Sequence, residues 1–151
     1  MLSALLPPER IRVPLGSHSR HALFRELAEL ALPDAAPATL EAVFQGVLSR
    51  EAIASTAIGD GLAVPHGRTN AVDGICMSAG IVEGVEDYQA PDGVPVRVCV
   101  LVVTSEGGAG MHLKVLARLA RLMRNDELKA ALSEATDANA FAAVLARAET
   151  P

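Results

Sequence analysis

His66 is the residue whose sequence neighbours most favour chemistry. Pro65 restricts the backbone before it and Gly67 frees the backbone after it, so the imidazole is predicted to lie at a loop edge with space around it. A neutral imidazole, with an ordinary pKa of about 6.5, can attack a phosphoryl group without a separate base. The residue type and its flanks therefore permit a nucleophile that carries phosphate.

A phosphorylated imidazole needs hydrogen-bond donors around its new negative charge. Candidate donors are the backbone amides near Gly67, His112 at a predicted helix N-terminus, and the guanidinium of Arg50 or Arg68, since a planar fork suits phosphate oxygens. The spacing does not choose between the two arginines. From spacing alone, a polar loop residue without a catalytic role is the favoured interpretation of His66, because lone histidines are usually not catalytic.

Other groupings of polar residues are weaker candidates. His18 and His21 lie three apart without a carboxylate or cysteine at supporting spacing, so we expect exposed residues and no metal site. Residues 59–61 read Gly-Asp-Gly but lack the lysine and the spacing of a P-loop, so they predict a turn.

Arginines recur at every third position of a later predicted helix, at Arg118, Arg121 and Arg124. This pattern is typical of a solvated helix face. The alternative is a contribution to docking an acidic partner.

The composition indicates one globular domain spanning residues 1–151. Half of the residues are hydrophobic, enough for a core without disulfides or metal. Three Phe, one Tyr and no Trp leave no platform for stacking bases, and the net charge is −5. Nucleic-acid binding is therefore not expected.

Cys76 and Cys99 have no CxxC spacing, so they are predicted to be buried reduced thiols, and no cofactor is expected. Residues 1–8 lack a basic segment before a short apolar run, so no secretory signal is predicted. No stretch is apolar and long enough to cross a bilayer. These features predict a cytoplasmic protein without membrane insertion.

Hydrophobic spacing predicts an α/β (α+β) fold. A helix is expected from Ser17 or Ser19 to Leu32, a second after a Pro/Ala linker to about Arg50, and a third after a glycine-rich loop at 106–110, with His112 in its first turn. Two short helical patterns follow Asp126.

Strands are predicted between the second and third helices. Residues 51–68 indicate two short strands joined by a tight turn, and residues 75–82 and 96–104 indicate two longer ones. The last is nearly all apolar, which favours burial on both faces. The order α-α-β-β-β-β-α-α-α predicts a mixed β-sheet flanked by helices.

Residues 50–68, REAIASTAIGDGLAVPHGR, resemble the signature of the fructose/mannitol-type IIA domains of the phosphotransferase system. Residues 5–11 resemble the opening of these domains and residues 111–119 a later helix, so the resemblance covers nearly the whole chain. One departure is Thr104-Ser105, where many members have a small residue and a proline. The opening is most like the nitrogen-regulatory branch.

The resemblance implies a role for each matching residue. His66 would be the phosphorylated histidine, His112 a second active-site histidine that helps to bind the phosphate, and Arg50 the guanidinium beside it. Ser55 and Thr56 would line the same pocket. The implied fold is the same mixed sheet between helices.

The implied function is that of a phosphocarrier rather than a free-standing enzyme. His66 would accept phosphate from an HPr-type phosphohistidine donor, with a regulatory use related to nitrogen and an unknown target. No membrane domain or IIB-like segment with a phosphorylatable cysteine is recognised, which favours regulation. Two alternatives remain: a sugar-specific IIA component that passes phosphate to a separate IIB in fructose/mannitol-type uptake, and a non-catalytic interaction module.

Overall fold

The computed structural model describes residues 1–150. The α-helices within this range are α1 (Leu2–Leu5), α2 (Arg20–Ala31), α3 (Pro37–Glu51), α4 (Ala109–Leu122), α5 (Asp126–Ser133) and α6 (Ala138–Glu149). The strands are β1 (Ile11–Arg12), β2 (Ala57–Gly59), β3 (Leu62–Ala63), β4 (His66–Arg68), β5 (Ile75–Val85) and β6 (Val96–Thr104). Short 3-10 turns precede β1, at Pro8–Arg10, and α4, at Glu106–Gly108.

These strands form one mixed sheet in the order β1-β5-β6-β3-β2, and β4 also pairs with β6. The long strands β5 and β6 are antiparallel, whereas β3 and β4 run parallel to β6. β3 pairs with Val98 and Cys99, and β4 pairs with residues 102–104. β3 and β4 therefore follow one another along the same edge of β6, and the carboxyl ends of β4 and β6 lie side by side.

The predicted α/β class is confirmed, with differences in the shortest elements. β6 has the predicted limits and buries every side chain except Arg97. β5 continues to Val85, three residues past its predicted end. Residues 51–68 contain three short strands rather than two, because residues 66–68 add a parallel pairing with β6. The sequence did not predict α1 or β1, whose two to four residues are too short for a periodic pattern.

The helix limits follow from their first residues. The Ser19 hydroxyl accepts a hydrogen bond from the Ala22 amide and caps α2, as predicted. α3 begins at Pro37, within the segment predicted as a linker. Proline suits the first position of a helix because its missing N–H would have no partner there.

Helices cover both faces of the sheet. α2 and α3 pack on one face, and α1, α4, α5 and α6 pack on the other. Side chains alternate along β6, with Leu101 and Val103 in the first cluster and Val100 and Val102 in the second. This double burial explains the nearly continuous apolar run of β6.

Cys99 is buried and Cys76 only partly so, so the prediction of two buried thiols holds for Cys99 alone. Cys76 is the second residue of β5, and the first two residues of this strand are only partly buried. No helix within residues 1–150 combines the length and the apolar composition needed to cross a membrane.

Candidate functional site

His66 is the first residue of β4, not the loop-edge residue that its neighbours predicted, because the backbone of residues 66–68 pairs with β6. Its ring is partly buried, and Nδ1 lies 2.8 Å from the carbonyl oxygen of Val64. A carbonyl oxygen can only accept, so Nδ1 carries the proton in this contact. The lone pair of the neutral ring is therefore on Nε2.

Gly67 allows β4 to approach α3 closely. A Cβ added there would lie 2.8 Å from the carbonyl carbon of Gly46 and 2.9 Å from the amide nitrogen of Val47. Gly67 is not among the residues with positive φ, so its role is this close approach and not the backbone freedom that the sequence indicated. Arg50 lies one turn after Gly46 on α3 and so is brought to the His66 side.

His112 lies in the first turn of α4, as predicted, and is buried. Its ring centroid is 5.4 Å from that of His66, and the two ring planes are inclined by 55°. His112 Nδ1 lies 2.8 Å from the hydroxyl oxygen of Thr104, the last residue of β6. The structure thus brings together two histidines that are distant in the sequence.

A cavity of about 620 Å³ opens beside the two rings. Arg50, Arg68, His66 and His112 all line it, together with the carboxylate-bearing Glu106. The sequence left the choice between the two arginines open, and both reach this cavity. Glu106 was not predicted there, and its carboxylate accepts a hydrogen bond of 2.8 Å from the Asn70 side chain.

Burial is the main cause that lowers the pKa of both histidines. For His66, the charge of Arg50 lowers the pKa further, whereas the Val64 carbonyl and the charge of Glu51 act in the opposite direction. For His112, the neighbouring His66 and Arg68 lower the pKa further. Because each pKa lies below 6.5, both rings are neutral at pH 7.

Ser55 and Thr56 line a smaller cavity of about 200 Å³, which shares Arg50 and His66 with the larger one. Ser55 is exposed. Thr56 is buried, and its hydroxyl is bonded to the Glu51 carboxylate and the Tyr88 hydroxyl. The Thr56 side chain is therefore already engaged behind the pocket wall.

The guanidinium of Arg50 is held by the turn that follows α3. Its Nη1 donates a hydrogen bond of 2.8 Å to the carbonyl oxygen of Ala54. The next residues of this turn are bound to Glu51, whose carboxylate accepts from the Thr56 amide at 2.8 Å. One short segment thus positions both the cation and the wall of the smaller cavity.

Large exposed apolar side chains surround the two cavities. Ile53 and Leu113 border the larger cavity with exposed fractions of 81% and 68%, and Ile58 borders the smaller one with 49%. Met111 is also exposed, on the first turn of α4. An exposed apolar ring around a polar centre is typical of a surface that binds another protein.

The weaker candidates do not line these cavities. His18 and His21 are exposed, as expected, and the His21 ring contacts Phe44 edge-on at 5.8 Å. Within the part of the chain that the structure describes, no three His, Cys, Asp or Glu side chains are placed to hold a metal ion. Arg118 and Arg121 of α4 are exposed, and Arg118 pairs with Glu149 at 2.9 Å. Arg124 is also exposed but lies in the turn after α4 and not on the helix where the sequence predicted it.

Known proteins resemble this chain in sequence and in fold. A nitrogen regulatory protein of Bradyrhizobium diazoefficiens is 34% identical over 145 residues, covering 96% of this chain and 94% of that protein. The fructose-specific EIIABC component of Bacillus subtilis is 27% identical over 93% of this chain, which spans 22% of that longer protein. The crystal structure of the nitrogen regulatory protein IIA-Ntr from Neisseria meningitidis superimposes with a TM-score of 0.83 at 29% identity, over 95% of this chain and 98% of that one.

The family model described as "Phosphoenolpyruvate-dependent sugar phosphotransferase system, EIIA 2" matches residues 4–148. This match covers nearly all of the described chain, including both histidines and both arginines of the larger cavity. The chain therefore belongs to the EIIA 2 family of the phosphotransferase system.

Proposed function

We propose that this chain is a phosphocarrier whose His66 Nε2 accepts a phosphoryl group from an HPr-type phosphohistidine donor in the cytoplasm. The observation that carries the proposal is the hydrogen bond between His66 Nδ1 and the Val64 carbonyl. It leaves the Nε2 lone pair available in a cavity that also contains two arginines and a second histidine.

The transfer needs no separate base. A bond forms between His66 Nε2 and phosphorus as the bond between phosphorus and the donor imidazole breaks. The donor ring, which is protonated on its other nitrogen, leaves as a neutral imidazole, so the positive charge passes to the His66 ring. The positive charge that develops on the His66 ring is stabilised by the Val64 carbonyl, which accepts from Nδ1–H. Positioning and electrostatic stabilisation therefore supply most of the catalysis.

The charge of the transferred group is offset by its surroundings. Arg50 acts on His66 and Arg68 on His112, as their effects on the two pKa values indicate. A guanidinium remains charged at all physiological pH values and binds two phosphate oxygens at once. His112 helps to bind the phosphate, and Ser55 and the Gly67 backbone complete the pocket.

The exposed apolar ring of Ile53, Ile58, Met111 and Leu113 is the surface on which the donor docks. Protein interfaces combine an apolar contact region with a few polar groups at the reacting centre. Docking on this ring would place the donor imidazole over His66 and exclude water from the transfer.

We further propose that the phosphorylated state regulates a nitrogen-related target. Similarity to two nitrogen regulatory proteins, over nearly their full lengths, supports this use. The second candidate is donation of the phosphate to a separate IIB protein in sugar uptake. Similarity to the fructose-specific EIIABC component favours that alternative.

Phosphorylation by purified components tests the phosphocarrier proposal. The protein is incubated with phosphoenolpyruvate, Enzyme I and an HPr-type carrier, and an acid-labile phosphate is measured by intact mass. The wild type and a His21→Ala control, which alters an exposed histidine outside the cavities, should be labelled, and His66→Ala should not. An unlabelled wild type would favour a non-catalytic interaction module, whereas a labelled His66→Ala would show that another residue is the acceptor.

A second step separates regulation from transport. The phosphorylated protein is mixed with a fructose-type IIB protein, and the loss of its label is followed over time. Rapid transfer to a cysteine of the IIB protein would support the sugar-uptake role. Retention of the label supports a regulatory use.

A further inference from the structure

Thr104 gives the His112 ring a different kind of hydrogen-bond partner from that of the His66 ring. Its side chain is fully buried at the end of β6, and its hydroxyl oxygen lies 2.8 Å from His112 Nδ1. The corresponding nitrogen of His66 instead contacts a backbone carbonyl. A carbonyl can only accept a hydrogen bond, whereas a hydroxyl can donate or accept.

This difference fixes the protonated nitrogen of His66, whereas the Thr104 hydroxyl is compatible with either tautomer of His112. The Val64 carbonyl requires Nδ1–H on His66, which leaves a lone pair on Nε2. The Thr104 hydroxyl can donate to an unprotonated His112 Nδ1, which places the proton of that ring on Nε2. The two histidines would then face the cavity with opposite properties, one as a nucleophile and the other as a donor.

A neutral His112 helps a phosphate only in this second form. Burial and the neighbouring Arg68 lower the pKa of His112, so the ring has a single proton at pH 7. With that proton on Nδ1, a lone pair on Nε2 would repel the phosphate oxygens. With the proton on Nε2, the ring donates a hydrogen bond to them.

The remaining contacts leave both groups available for this role. The hydroxyl of Thr104 has His112 as its hydrogen-bond partner, while the Thr104 backbone carbonyl accepts separately from the Thr69 amide at 2.9 Å. The hydrogen bond of the His112 ring is at Nδ1, so Nε2 has no partner within residues 1–150. In the same residues, Arg20 Nε is the one fully buried side-chain nitrogen or oxygen that lacks a partner. His112 Nε2 is therefore not sealed in the core, and its residue lines the cavity.

We propose that Thr104 is a positioning residue that sets His112 in its Nε2–H form, so that the neutral ring donates a hydrogen bond to a phosphoryl group on His66. The part that concerns phosphate rests on the proposed phosphocarrier function. The tautomer of His112 rests instead on the buried Thr104 hydroxyl, whose proton has no acceptor within residues 1–150 other than His112 Nδ1. If His112 takes a second proton once phosphate is present, the same hydroxyl turns and accepts from Nδ1–H. The ring then keeps one orientation in both charge states.

Nitrogen NMR of the imidazole rings tests the tautomers directly on the unphosphorylated wild type. The shifts of Nδ1 and Nε2 identify the protonated nitrogen of a neutral histidine. Above pH 7 we expect the proton on Nε2 for His112 and on Nδ1 for His66. A proton on Nδ1 of His112 would overturn the proposal, whether or not the protein accepts phosphate.

Phosphorylation rates test the consequence for transfer. Thr104→Val removes the hydroxyl at nearly constant volume and should slow phosphate acceptance by about tenfold, the effect of losing one well-placed hydrogen bond to a charged group. Thr104→Ser should restore most of the rate. Ser78→Ala is the matched control, because it removes a buried hydroxyl that is bonded elsewhere, to the Leu27 carbonyl, and it should leave the rate unchanged.

A double variant separates positioning from a general loss of structure. If Thr104 acts through His112, then adding Thr104→Val to His112→Ala should not slow acceptance further. Wild-type rates in Thr104→Val, or independent losses in the double variant, would contradict this role. If the wild type itself accepts no phosphate, the proposed function fails, and the NMR result alone decides the tautomer assignment.

Discussion

Replacing Tyr88 by Phe should reveal a buried carboxylate that supports the pocket wall. Glu51, the last residue of α3, is only 6% exposed. Its carboxylate accepts from the Thr56 amide at 2.8 Å, from the Tyr88 hydroxyl at 3.0 Å and from the Thr56 hydroxyl. Burial raises the pKa of the Tyr88 hydroxyl, so the phenol stays protonated and donates at pH 7.

The expected cost follows from what Tyr88→Phe removes and what it keeps. The ring still packs edge-on against Phe24, at 5.6 Å between centroids, so no cavity of side-chain size is created. The hydroxyl is lost together with its contacts to the Glu51 carboxylate and the Thr56 hydroxyl, and a hydrogen bond to a charged group contributes about 1.5–3 kcal/mol. We expect the free energy of unfolding to fall by about this amount, toward the upper end because the carboxylate remains buried.

Urea denaturation followed by far-UV circular dichroism at pH 7 measures this change. Glu51→Gln supplies the matched background, since it keeps the volume and removes the charge. In that background Tyr88→Phe should cost only about 0.5–1.5 kcal/mol, the contribution of a neutral hydrogen bond. A loss below about 0.5 kcal/mol in the wild-type background, or equal losses in both backgrounds, would refute a charge-assisted contact.

Three further outcomes are expected. Gly67→Ala should lower the free energy of unfolding by about 1–3 kcal/mol through overpacking against Gly46. Gly110→Ala on α4 should instead raise it by about 0.5–1 kcal/mol, because an added Cβ there meets nothing within 4 Å. Equal effects of the two substitutions in urea denaturation would contradict the close approach at Gly67. The rate of phosphate acceptance should be highest where the His66 ring is neutral and should decrease as the pH falls through its lowered pKa. A midpoint above 6.5 in rapid-quench measurements would show that the ring is not desolvated. Phosphorylation of His66 should raise the pKa of His112, because nearby negative charge favours the imidazolium. An unchanged pKa of His112 in proton NMR titrations of the two states would contradict this expectation.

The sequence predicted the long elements well because their patterns extend over many residues. The apolar run of residues 96–104 has the limits of β6, and the helical spacing around Leu23 and Leu27 lies within α2. Residues 51–68 contain strands of two or three residues. Their pairing with β6 is set by the tertiary fold, which local periodicity cannot reveal.

The candidate site was predictable only in part. The flanks of His66 made a nucleophile possible. The helix N-terminus made His112 one of several candidate donors, but its assignment to the same site came from family resemblance, because spacing cannot show that two distant residues meet. Thr104, Glu51 and Tyr88 were not predicted as supports of the site. Thr104 follows directly on the apolar run of β6, and a buried polar group requires a partner. The sequence does not identify that partner.

The chemistry of the pocket depends on the hydrogen-bond partners of the two Nδ1 atoms as much as on the two imidazole rings. His66 and His112 are the same residue type, both rings are desolvated, and both pKa values are lowered. Burial alone would therefore make them equivalent, and two equivalent neutral rings could not divide the roles of nucleophile and donor. The asymmetry comes from a backbone carbonyl on one side and a hydroxyl on the other. Because the carbonyl belongs to the main chain, side-chain substitution cannot remove it, whereas the donor role proposed for His112 depends on a replaceable side chain. Mutation at Thr104 should therefore change the handling of phosphate while leaving the nucleophile at His66 intact.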